Sequence, residues 1–194
     1  MLSSSFDRAV AHHRAGELDK AVALYRHVLR TARGEDASKA GQMLGAALHL
    51  QGQLEGAEEA LRAVVRADPA PGLGARRALS MFLASQARMD DAVKVWREGV
   101  AAARGLPSAA GVDARMGLAI ALSEARRSDE ALATLKELAA EMPDNAGIQY
   151  ELGRLSERLG RRDEGRAAME RVLEIAPDLA EAHLLMARIE AAGV

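Results

Sequence analysis

The sequence predicts an all-α solenoid of antiparallel helix pairs, and three observations carry that expectation. A small residue recurs at Ala21, Ala57, Ala92, Ala131 and Gly165, at intervals of about 34 to 39 residues. Four residues after each stands a large apolar one: Tyr25, Leu61, Trp96, Leu135 and Met169. Strand-like alternation of Val, Ile and Thr is absent, while alanine, the best helix former, is the commonest residue. A period of this size marks stacked two-helix units, each packing on its neighbours alone, so the 194 residues read as one continuous array.

With the small residue as register, the units run about 2–35, 38–71, 73–106, 112–145 and 146–179, followed by a lone helix over 180–193. In the first unit a helix from Phe6 to Ala15 should end at a turn, Gly16-Glu17, and a second helix should run from Asp19 to Thr31. Leu18-Asp19 supplies its expected N-cap. Gly16, Gly52 and Gly160 each precede the small residue by five positions, where glycine admits the left-handed backbone that ends a helix. Pro69, Pro143 and Pro177 close three units. The small residue is where the two helices of a unit touch, so a large side chain there would cost roughly 1–3 kcal/mol by overpacking. The large residue one turn later lies on the same face and fills the adjoining gap.

Three joints depart from the pattern. Residues 33–36 link units one and two without a proline, and 68–74 form a Pro- and Gly-rich turn. The step from unit three to unit four is lengthened within 101–111, a stretch expected to extend a helix and its loop rather than to act as a hinge.

A second set of positions ties the units together. Leu44-Gly45, Leu79-Ser80, Leu118-Ala119, Leu152-Gly153 and Met186-Ala187 occupy equivalent pairs, and Arg8-Ala9 departs from them. With the small slot, the large slot and the terminal prolines, these pairs resemble the tetratricopeptide repeat, W-x2-L-G-x2-Y followed by A, F, A and P. The leading Trp is absent, with Gly41, Arg76, Arg115, Gln149 and His183 in its place. The resemblance covers essentially the whole chain. It implies a right-handed superhelical solenoid acting as a non-catalytic scaffold or adaptor for partner proteins.

Composition narrows the function classes. There is no Cys, hence no disulfide framework, thiol nucleophile or Cys-ligated zinc, with a lean towards the cytoplasm. The N-terminus lacks a basic stretch followed by an apolar run, and no apolar run approaches the ~18 residues of a membrane span. A net charge of -2 favours neither nucleic acid nor anionic lipid. Only four of the 26 basic residues are lysine, and the Arg and Ala excess fits a GC-rich, bacterial genome. His13 and His49 hold the same position in adjacent units, but no third ligand stands near them, so no metal is expected. No G-x-S-x-G or phosphate loop occurs. Glu58, Glu59, Glu137, Glu141, Glu170 and Glu174 read as a solvated face rather than catalytic pairs. The run Arg154, Arg158, Arg161, Arg162 and Arg166 is interleaved with acids and lacks aromatics for base stacking, so no nucleic acid is expected. No catalytic residue and no cofactor are expected.

The family resemblance implies a concave groove lined by the first helix of each unit. Carried over by register, its residues are Phe6, Val10, His13 and Arg14, then Gln42, Ala46, His49 and Leu50, then Arg77, Met81 and Ser85. Met116, Ile120 and Glu124 follow, then Tyr150, Arg154 and Arg158, and finally Leu184 and Arg188. The early groove reads as apolar, with Met81 and Met116 as adaptable contacts. The late groove gathers arginines suited to a carboxylate. The expected partner is a protein or peptide segment with apolar and acidic residues. The Lys/Asn clamp for chaperone tails is missing, because Phe6, Val10, Met43 and Arg77 hold its positions. The alternatives are an accessory subunit that recruits substrate to an enzyme, or a self-assembling module. The latter would make a homo-oligomer through the C-terminal helix, whose Leu184, Leu185, Met186 and Ile189 are expected to be exposed.

Overall fold

Eleven α-helices form among residues 4–67, 73–104 and 108–191, the residues that the computed structural model describes. They pair as the period requires: α1 (Ser4–Arg14) with α2 (Leu18–Thr31), α3 (Gly34–Leu50) with α4 (Leu54–Ala67), and α5 (Leu73–Ser85) with α6 (Met89–Ala102). Then α7 (Ser108–Glu124) pairs with α8 (Ser128–Glu141), and α9 (Ala146–Arg158) with α10 (Arg162–Ile175); α11 (Ala180–Ala191) follows. No strand occurs among the described residues. The chain is an all-α helical-repeat solenoid.

The repeat slots do what their sizes predict. All five small residues are buried between paired helices, and the large residues beside them are at most 6% exposed. Gly45 lets α3 lie against α4, since a Cβ there would come within 2.6 Å of Leu61. Gly153 does the same for α9 and α10 against Met169. Close approach of this kind trades side-chain volume for helix–helix contact.

The five intra-unit turns share one hydrogen-bond scheme. The N–H of Glu17, Gln53, Arg88, Arg127 and Arg161 each returns to the carbonyl five residues back, at 2.8–2.9 Å. This is the αL-terminated helix end, and Gly16, Gly52 and Gly160 supply its positive φ. Ala87 and Arg126 occupy the same slot at φ 59° in the units without the glycine. The turn scheme also corrects the expected cap at Leu18-Asp19. The N-cap is Glu17, which makes no side-chain cap bond, and Asp19 instead accepts from Gln51 Nε2 at 2.7 Å. A side-chain cap does form at α9, where Asn145 Oδ1 accepts from the Ile148 N–H. Pro143 and Pro177 each stand two residues past a helix end; Pro69 lies outside the described residues.

The chain divides into two compact units, Met1–Gly105 and Leu106–Val194. The boundary falls within the irregular joint 101–111, and α7, with 17 residues, takes up part of the added length. In the first unit one core joins α1 to α6 through residues such as Tyr25, Leu48, Leu79 and Leu83. In the second, Val112, Leu138 and Ile148 form one cluster, and Met169, Val172, Leu185 and Ile189 belong to another.

The last helix differs from expectation. Leu185 and Ile189 are 2% and 3% exposed because they pack on α10, and Met186 is half-buried. Of the four apolar side chains expected on its surface, Leu184 alone stays fully out, at 69%.

Candidate protein-binding face

In the first unit α1, α3 and α5 are the first helices of successive repeats and hold the groove positions implied by the family. They do not present a uniform apolar trough. Phe6 is buried, its ring 5.9 Å from Tyr25, and so belongs to the core. Val10 is half-buried in the same cluster. His13 Nδ1 lies 3.3 Å from the Tyr25 hydroxyl, and burial pushes that phenol upward against a smaller pull from Arg14. His49 stacks edge-on against Phe82, with centroids 5.3 Å apart. The two histidines are thus each engaged with an aromatic ring. Gln42 is half-buried and donates to Ser38 Oγ at 3.1 Å, while Ala46 is exposed.

Two large apolar side chains remain bare on this face: Leu50 on α3 and Met81 on α5, each 66% exposed. Arg14 and Arg77 are also exposed, and neither has a carboxylate partner among the described residues. An exposed apolar pair thus shares the α1–α3–α5 face with two guanidiniums that no carboxylate among the described residues neutralises. It is the arrangement that an apolar segment with an acidic flank would satisfy.

The second unit is different. Met116 packs against the Val112–Leu138–Ile148 cluster, Ile120 is half-buried, and Tyr150 leans on the α10–α11 core. The arginines expected to receive a partner's carboxylate already have partners. Arg154 binds Glu151, with Nε donating at 2.9 Å, and Arg188 lies 3.4 Å from Glu157. Arg158 donates to the Ser123 hydroxyl and carbonyl, which caps the end of α7. The charge that sequence spacing placed here is therefore largely internal. Glu151 stands three residues before Arg154, a spacing that already signals this pairing.

One further concavity, not anticipated from sequence, lies in the first unit on the opposite side of α3. It is a cleft of about 800 Å³ between α2 and α4, with Leu44 and Leu48 of α3 in its floor. Among the described residues no cluster of His, Asp or Glu has the arrangement of a metal site, and no helix is long and apolar enough to cross a membrane.

With this geometry in place, comparison with known proteins identifies the family. Two tetratricopeptide-repeat models match, one over residues 40–71 and one over 122–189, together just over half of the chain. The chain is a tetratricopeptide-repeat (TPR) protein. Such repeats form scaffolds for protein–protein contacts, and this TPR chain shares its fold with several solved structures. Nearly identical TPR-like repeats from Podosopora anserina superpose with a TM-score of 0.66 at 21% identity, over 89% of this chain and 93% of that one. A thermophilic TPR protein of Thermus thermophilus gives 0.62 at 22%, over 96% and 97%. YrrB, described as a TPR protein with an unusual peptide-binding site, gives 0.56 at 19%, over 98% and 91%. No curated protein sequence matches the chain.

Proposed function

We propose that this TPR protein is a non-catalytic adaptor that receives a peptide or helix of a partner protein on the α1–α3–α5 face. The observation that carries the reading is the pair of bare apolar side chains, Leu50 and Met81, flanked by unneutralised Arg14 and Arg77. Burying a leucine- or methionine-sized side chain is worth about 1.5–3 kcal/mol. Two such contacts with a charge-assisted hydrogen bond supply about 4.5–9 kcal/mol before the costs of association, so a micromolar complex, at about 8 kcal/mol net, also needs further contacts along the face. The partner segment carries an apolar residue to cover Leu50 and Met81 and an acid to meet a guanidinium. A peptide-binding site in YrrB, a protein of the same fold, supports a peptide as the ligand. Residues of the second unit contribute less, because Arg154 and Arg188 are held by Glu151 and Glu157.

The test is a peptide array of acidic-apolar segments probed with the wild type and with Leu50→Glu/Met81→Glu. Loss of every wild-type hit, with unchanged helical circular dichroism, supports the assignment. Retention of those hits by the folded double variant removes it. Self-assembly through α11 rests on Leu184 alone, and a strict monomer across a concentration series in analytical ultracentrifugation would exclude it.

A further inference from the structure

The cleft between α2 and α4 has a counterpart between α8 and α10, and the two differ in a way that points to an occupant. In the second unit the space is bridged. Lys136 Nζ on α8 donates to Glu164 on α10 at 2.8 Å, and Arg171 on α10 binds Asp144 just beyond α8. By the repeat register, the Lys136–Glu164 pair corresponds to Arg26 and Gly56, and the Asp144–Arg171 pair to Gly34 and Ala63. Both bridges are thus absent between α2 and α4. The second has lost both side chains, but the first has lost only its acid. Arg26 keeps the cation, exposed at the rim of the cleft, with no carboxylate partner among the described residues.

The lining fits a helix. Gly56, Ala60, Ala63 and Ala67 recur at i, i+4, i+7 and i+11 along α4, so one wall is a row of small residues facing Leu29 of α2. That row spans about 16 Å, or three turns. Small side chains let a second helix approach closely. The charges are asymmetric. Arg26 and Arg33 line the α2 side; among the described residues Arg33 bonds only to the backbone carbonyls of Ala32 and Arg30. Glu59 lines the α4 side, and Glu35 at the end of the cleft is held by Lys39 at 2.6 Å.

We propose that this cleft is a second docking site, separate from the α1–α3–α5 face, for an amphipathic helix of a partner protein. The helix supplies the acid that Gly56 lacks: a Leu/Ala face enters the cleft, an acidic flank meets Arg26 and Arg33, and a basic flank meets Glu59. A two-faced adaptor follows, since α3 presents Leu50 to one ligand and Leu44 to the other.

The probe is a fluorescein-labelled helical peptide of about four turns. It has a Leu/Ala face, a Glu row on one flank and a Lys row on the other, and is titrated into the full chain by anisotropy. Saturable binding is expected. It should weaken at least ten-fold in Arg26→Glu/Arg33→Glu and in a peptide with Gln on both flanks, and vanish in Ala63→Trp, which fills the cleft from an exposed position. Leu50→Glu/Met81→Glu should bind the probe like the wild type. The proposal is overturned by absence of saturable binding, by binding that Ala63→Trp leaves intact, or by loss in Leu50→Glu/Met81→Glu instead. The last result would place the peptide on the α1–α3–α5 face and leave that reading standing.

Discussion

Ala87 holds in the third repeat the left-handed turn position, φ 59°, that Gly16 holds in the first at φ 74°. The hydrogen bonds around the two are alike: Arg88 N–H to Leu83 O and Glu17 N–H to His12 O, both 2.9 Å. The turn is thus imposed by the packing of paired helices rather than by glycine. An L-residue with a Cβ pays about 1–2 kcal/mol for this backbone. Ala87→Gly should therefore raise stability by about 1 kcal/mol, and Arg126→Gly, in the equivalent slot, by a similar amount. Urea midpoints at constant slope measure it. An unchanged or lower midpoint for both would mean that these turns carry no strain.

Gly165 sits where the other four repeats carry alanine, and its surroundings set a size limit. A Cβ built there lies 3.3 Å from Ile189 Cδ1 and 3.4 Å from the Gly153 carbonyl and the Glu157 N–H. Gly165→Ala should be near neutral, because a tighter contact is offset by better helix propensity. Gly165→Leu should cost roughly 1–3 kcal/mol, since the α9 backbone at Gly153 and Glu157 cannot retreat. Thermal unfolding of the two variants distinguishes them, and equal melting temperatures would refute the contact.

The slots legible in the sequence are those fixed by packing inside one helix pair. Ala21, Ala57, Ala92 and Ala131 must be small and Tyr25 or Leu61 must be large whatever the rest of the chain does. Trp96 falls in that class, and its burial follows from register alone. Charge pairing was less legible, because a long guanidinium side chain reaches past its own helix and its partner is chosen across elements. Arg188 and Glu157 are an example: they stand on α11 and α9, two helices apart in the chain, yet lie 3.4 Å from each other in the fold. The α2–α4 cleft was hidden for the opposite reason. It arises from side chains that are missing at Gly56 and Ala63, and absences show only when repeats are compared position by position.

Glu58 ties α4 to the start of α6. Arg62 donates to it within α4 at 2.8 Å, and Arg88 Nη2 reaches it from the N-cap of α6 at 3.2 Å. The Arg88 hydrogen bond holds the Glu58 carboxyl below its usual 4.5, with burial opposing and Arg62 adding. A lowered folded-state pKa means that the contribution is present above about pH 4.5, the unfolded value, and is lost as pH falls through the folded-state value. Because Arg88 is half-exposed, solvent screening keeps that contribution small. Glu58→Gln should lower the urea midpoint slightly at pH 7 and leave a smaller loss between neutral and acidic pH than the wild type shows. An identical acid limb in the two proteins would mean that the pair contributes nothing.

Arg76 presents the opposite balance. It stands where the family motif has tryptophan, is 5% exposed between α5 and α6, and its Nε finds no hydrogen-bond partner among the described residues. Its aliphatic stem fills the space that Gly99 leaves, 2.9 Å from where a Cβ would sit. The stem therefore contributes packing while Nε loses hydration without a hydrogen bond in return. Methionine keeps the stem and removes the charge. Arg76→Met should raise stability by at least about 1 kcal/mol, whereas Arg76→Ala should lower it by leaving the α5–α6 contact empty. The two together separate packing from charge: if Arg76→Met is as damaging as Arg76→Ala, the guanidinium itself is stabilising and its desolvation is not the dominant effect.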